Sequence, residues 1–126
     1  MAYGSSSEDD ITLPAAADLS AMQYRYITVD ANGRGTNCTT AVLPIVGILQ
    51  NKPSAQDQEA RIRHIGISKL VSGAALNEGD MVCSNLQGFG TAAAAGQVGV
   101  FIGAICLAAT GASADIADVL ITRYIL

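Results

Sequence analysis

A chain of 126 residues, half of them apolar, supports one domain with a core of its own and leaves no room for a second. Aromatic residues make up 5% and Trp is absent, which argues against a deep ligand cavity lined with rings; charged residues are only 14%, low for a surface facing water on all sides. The net charge of −4 comes entirely from Glu8, Asp9, Asp10 and Asp18, and beyond Asp18 the acids and bases balance, so no basic face exists to neutralise nucleic-acid phosphates.

Met1 to Pro14 reads as an extended arm. Gly4-Ser-Ser-Ser-Glu-Asp-Asp10 is small, polar and acidic, and only Tyr3, Ile11 and Leu13 offer apolar anchors, so the arm is expected to order on a partner rather than alone. The acidic start also lacks the positive region of a secretory leader. Residues 15 to 126 form the expected body. Ala15 to Met22 has room for one helical turn with Asp18 as its cap.

From Gln23 the pattern is strand, turn, strand. Gln23 to Val29 alternates and is rich in β-branched and aromatic types. Asp30-Ala-Asn-Gly33 is a turn, because Asn-Gly accepts the positive φ of tight hairpins. A polar strand over Thr36 to Ala41 and an apolar one over Leu43 to Leu49 follow, then a polar loop over Asn51 to Glu59. Arg61 to Ile65 and Ile67 to Val71 are two strand runs separated at Gly66, where a bulge or bend is expected. Asn77-Glu-Gly-Asp80 and Asn85-Leu-Gln-Gly88 are turns on either side of Met81 to Ser84. Ala92 to Ala95 reads as the start of a short helix, since Ala is the best helix former. Val98 to Ala108 is apolar and broken by glycine, and Ile116 to Leu126 is apolar on both faces. The expected class is therefore mainly β, a compact single-domain barrel or sandwich behind an N-terminal arm.

Chemistry is sparse. His64, the one histidine, has no paired acid, nucleophile or second ligand near it in sequence. Gly66-Ile-Ser-Lys-Leu70 lacks the final glycine of a nucleophile elbow. Gly88-Phe-Gly-Thr-Ala-Ala93 fits the letters of a dinucleotide loop but has no βαβ setting. Asn37-Cys-Thr39 is a glycosylation sequon in letters only. Cys38, Cys83 and Cys106 fit neither a disulfide framework nor a zinc spacing and read as small buried apolar residues. Leu86 to Ala114 carries no charge and contains the helix-dimer spacing Gly99-Val-Phe-Ile-Gly103, yet Ala and Gly dominate it and no Lys or Arg anchors its ends, so no membrane span is assigned. No catalytic residue, cofactor or metal is expected, and the chain is read as a non-enzyme.

Several segments resemble the capsid cement, or head decoration, proteins of tailed phages. Ala17-Asp-Leu-Ser20, Tyr24-Arg-Tyr-Ile27 and Gly47-Ile-Leu-Gln-Asn-Lys-Pro53 carry the resemblance, followed by Gly66 to Val71, Glu78-Gly-Asp80, Ile102-Gly103 and Asp115 to Leu120. The resemblance implies a β-tulip body, often trimeric, on the capsid exterior, with the major capsid protein as partner and head stabilisation as function. A homo-oligomer is also expected from the charge-free stretch Leu86 to Ala114 and the apolar C-terminal strand, and the resemblance favours a trimer over a dimer. Tyr3, Ile11, Leu13, Pro14, Leu19, Tyr24 and Tyr124 are the candidate capsid or subunit contacts. The second functional reading is a head-fibre, receptor-binding or carbohydrate-binding module, which the few aromatic residues disfavour.

Overall fold

The computed structural model describes residues 8–94 and 96–126. Tyr3, and the expectation of an ordering arm over Met1 to Ser7, lie outside the described residues.

Along the chain come β1 (Asp9–Pro14), β2 (Tyr26–Val29), β3 (Gly35–Asn37), β4 (Gly47–Leu49), β5 (Glu59–Ile65), β6 (Ile67–Val71), β7 (Met81–Ser84), β8 (Gly90–Ala92), β9 (Phe101–Cys106) and β10 (Ile116–Ile125). They build two antiparallel five-stranded sheets, ordered β1-β5-β4-β2-β3 and β6-β10-β9-β7-β8. Written from each sheet's own first strand, the two orders are the same. The chain is one five-stranded unit built twice, with Gly66 as the joint.

The repetition extends to single hydrogen bonds. In the first unit Val29 pairs with Gly35 across a five-residue turn; in the second Ser84 pairs with Gly90 across another. Asp30 Oδ1 accepts from the Asn32 and Arg34 amides, and Asn85 Oδ1 accepts from those of Gln87 and Phe89. Both turns need a left-handed residue and both place glycine there, Gly33 at φ 77° and Gly88 at φ 79°. The Leu19 amide donates to the Pro53 carbonyl, and its counterpart Leu76 donates to Thr110. The outer strands of each sheet touch through a single parallel bridge, Ala15 to Gly35 and Ser72 to Gly90.

The expected barrel is corrected by this arrangement. Two separate sheets hold the fold, and one bridge per sheet draws the edges together without a continuous ladder that would close them. The arm is corrected too: Asp9–Pro14 is a strand paired along β5, from Asp9 opposite Ile65 to Pro14 opposite Glu59. Of the helix expected over Ala92 to Ala95, Ala92 instead ends β8 in register with Val82, Ala93 and Ala94 are not helical, and Ala95 lies outside the described residues. No helix forms over Ala15 to Met22, and Asp18 Oδ1 instead accepts from the amide and hydroxyl of Ser20.

Each unit has an interior, and the interiors correspond. Ala15, Leu19, Ile27, Leu49, Ala60 and Ile62 fill the first. Leu70, Leu76, Val82, Cys106, Ala117 and Val119 fill the second, where they also meet Tyr26, Cys38, Ile45 and Ile48 of the first unit. Unit 1 therefore docks one patch onto the core of unit 2. Tyr26 lies at its centre, fully buried, with its hydroxyl donating to the Val82 carbonyl at 2.9 Å.

Candidate functional site

The docking patch of unit 1 has a counterpart on unit 2. Cross-strand pairing sets Tyr26 beside Ile48 and Ile48 beside Arg63, which faces Asp10. The matching row in unit 2 runs Met81, Ile105, Leu120, Ile67. Where unit 1 ends its row in an acid and a base, unit 2 is apolar throughout. Tyr26 and Ile48 have no exposure, whereas Leu120 is 38% exposed and Met81, Ile105 and Ile67 are half-buried. A small satellite cluster of Cys83, Val100 and Ile102, flanked by Met81, Ala93 and Leu126, lies beside this row. Neighbouring segments are tied by bonds from the Gly99 amide to the Leu126 carbonyl and from the Phe101 amide to the Ala41 carbonyl, and they add the exposed side chains of Val42, Val98 and Ile125. Unit 2 thus presents the apolar patch that unit 1 buries.

At the joint between the units lies the second feature, a cavity of about 220 Å³ open to solvent. Tyr24, Gln50, Arg63, Ser68, Lys69 and Asp118 line most of it. Arg63 is held on three sides: Nε donates to Asp10 Oδ1 at 2.8 Å, Nη1 donates to the Ile67 carbonyl at 3.1 Å, and Nη1 also pairs with Glu8. The bond to Asp10 is the main reason its guanidinium holds its proton above the ordinary arginine range. Arg61 joins Asp10 at 3.3 Å, and His64 Nε2 lies 3.2 Å from Asp9 Oδ2. Glu8, Asp9 and Asp10, the acidic run of the expected arm, thus have partners within the chain.

The other candidate residues separate by depth. Ile11 and Leu13 pack half-buried on the first core, Leu19 is 4% exposed within it, and Pro14 is exposed at the end of β1. Tyr24 lines the cavity, and Tyr124 is 37% exposed on β10. All three cysteines are buried, and burial raises the Cys106 thiol pKa. Among the described residues no three metal-binding side chains converge, and no helix is long and apolar enough to cross a membrane. Gly66-Ile-Ser-Lys-Leu70 is the joint and the start of β6, while Gly88-Phe-Gly-Thr-Ala-Ala93 is a hairpin turn running into β8.

The row on unit 2 was not found by reading the sequence, although a signal for it was present. Gly33-Arg-Gly-Thr36 and Gly88-Phe-Gly-Thr91 occupy the same place in the two units and mark the duplication.

No protein-family model matches the chain, and no curated protein does. A two-sheet β fold of this kind is found in a solved phage structural protein. The head fibre gp8.5 N base of bacteriophage phi29 superposes with a TM-score of 0.68 at 11% sequence identity, over 95% of this chain and 98% of that one. The expectation of a capsid cement protein is overturned by that match, because the backbone over 95% of the chain superposes on a head-fibre base. The cement resemblance rested on short segments, Gly47 to Pro53 above all, which here are β4 and the loop that follows it.

Proposed function

We propose that this chain is a structural module of a phage virion surface, a base of the head-fibre type, without catalytic activity. The observation that carries the reading is a fold match covering 95% of this chain and 98% of the head-fibre base. A base needs contact surface rather than chemistry, and the spare apolar patch of unit 2 supplies it. The partners proposed are the major capsid protein and further copies of the chain.

The duplication supports self-association. Inside one chain the patch around Tyr26 and Ile48 meets a core from the other unit. The equivalent patch, Met81, Ile105 and Leu120, would meet the first unit of a neighbouring copy, where Ile11, Leu13, Met22 and Val46 are still only half-buried. Contact between two different faces is head-to-tail, and it closes into a ring when the rotation permits. The ring size proposed is a trimer.

Two measurements test the reading. Cryo-electron microscopy of the parent particle should resolve the two-unit fold at the head surface; particles without it overturn the assignment. Sedimentation equilibrium should give a discrete oligomer at micromolar concentration, and Leu120→Glu should dissociate it while leaving the strand signal in circular dichroism intact. A wild-type monomer with no tendency to assemble removes the self-association half.

A further inference from the structure

We propose that the cavity at the joint between the units binds a neutral saccharide, with the Tyr24 ring as its stacking face. The inference goes beyond the virion-base reading and stands apart from it, since one chain carries every wall of the cavity.

Tyr24 is the first reason. Its backbone sits at φ 64°, in the left-handed region that a tyrosine occupies only at a cost in stability. The duplication shows what the fold alone asks for at this point. Tyr24 donates its amide to the Leu49 carbonyl at 2.8 Å, and in unit 2 the same bond runs from Gly79 to the Cys106 carbonyl, also at 2.8 Å. Gly79 takes φ 84° without strain. One backbone geometry therefore appears twice, once with the residue that suits it and once with an aromatic ring in its place. That ring lines the cavity. Strained residues of this kind cluster at active sites and ligand clamps.

The other walls define the ligand. Gln50 and Arg63 belong to unit 1, and the corresponding residues of unit 2 are Leu107 and Leu120, so the polar lining is again an addition to the repeated scaffold. Gln50 Nε2 donates to the Ile48 carbonyl at 3.0 Å and to Ser68 Oγ at 2.8 Å. Those bonds fix the amide and leave its carbonyl oxygen as an acceptor. Arg63 places three of its five N–H donors on Glu8, Asp10 and the Ile67 carbonyl, and Lys69 stands opposite Asp118 across the β6–β10 ladder. The two acids and two bases of the lining cancel, so the cavity offers no net charge to an anion or a cation. What it offers is the Tyr24 ring, with the Lys69 ammonium 6.0 Å from its centroid, together with polar donors and acceptors. Sugar hydroxyls use both, and the C–H face of a pyranose packs on a ring. The volume is below that of drug-sized pockets, which sets the scale at one or two sugar rings.

The test uses the full chain, free of particles. A panel of neutral mono- and oligosaccharides is screened on an array, and hits are titrated by calorimetry against wild type, Tyr24→Gly and Gln50→Leu. Saturable binding by wild type is expected, with at least a tenfold loss in each variant, while Tyr24→Gly melts no more than about 5 °C below wild type. Three results overturn the proposal: no saturable binding of any neutral saccharide, undiminished binding by Tyr24→Gly, or a large fall in its melting temperature, which would assign the ring to packing. None of the three bears on whether the chain is a virion base, which the particle images decide.

Discussion

Replacing Tyr26 with Phe removes one oxygen from the point where the two units meet. The ring is fully buried and its volume is kept, so no cavity opens. The loss is the bond to the Val82 carbonyl, and a buried acceptor is left without that donor. The cost at neutral pH should be about 1–2 kcal/mol, seen as a fall of roughly half a molar to one molar in the urea midpoint at unchanged slope. The pH profile makes the test specific. Burial drives the Tyr26 phenol well above its ordinary 10.0, with the nearby cysteine sulfurs, Cys83 first, opposing a further negative charge. Above that ordinary value the unfolded chain releases the phenolic proton while the folded chain keeps it. The folded state then binds more protons, and stability falls as pH rises, by up to about 1.4 kcal/mol per pH unit. Below it the contribution is fully present. Tyr26→Phe has no such proton, so the wild-type advantage should shrink above pH 10 and disappear near about pH 11. Urea unfolding of both proteins in reductant, at one protein concentration from neutral pH upward, gives the two curves. Parallel curves above pH 10, or equal midpoints at neutral pH, would refute the account of how the units are joined.

The twin hairpins give a second test, because Gly33 and Gly88 share a backbone conformation but not an environment. Gly33→Ala has open space around the new methyl group and should cost about 1–2 kcal/mol from φ alone, whereas in Gly88→Ala the methyl also meets Asn37 Oδ1 and should unfold at clearly lower urea. Equal losses would mean that the turns are not packed as described. Arg63→Ala should cost about 1–3 kcal/mol by removing the charged bonds that fasten β1, and amide exchange should accelerate in Ile11 and Leu13 well before the second unit responds. Uniform acceleration across both units would show that β1 is not fastened this way.

The sequence by itself determined the local and chemical character of the chain. β-Branched runs at Tyr26–Val29, Ile67–Val71 and Ile116–Ile125 became strands, and Gly33, Gly66 and Gly88 marked a turn, the joint and a second turn. These follow from rules that act within a few residues, such as pleat alternation and positive φ. Only the tertiary structure decided which strands pair, and with that the duplication. The two units share their hydrogen bonds but few side chains: Tyr24 corresponds to Gly79, Arg63 to Leu120, Tyr26 to Met81. Backbone pairing tolerates such exchanges because ladder bonds do not depend on side-chain identity, so the repeat left little in the letters beyond two Gly-x-Gly-Thr turns. The acidic start shows the same limit. Asp9 and Asp10 read as a free tail because their partners, Arg61, Arg63 and His64, are far along the chain, and only pairing of β1 with β5 brings the opposite charges within reach.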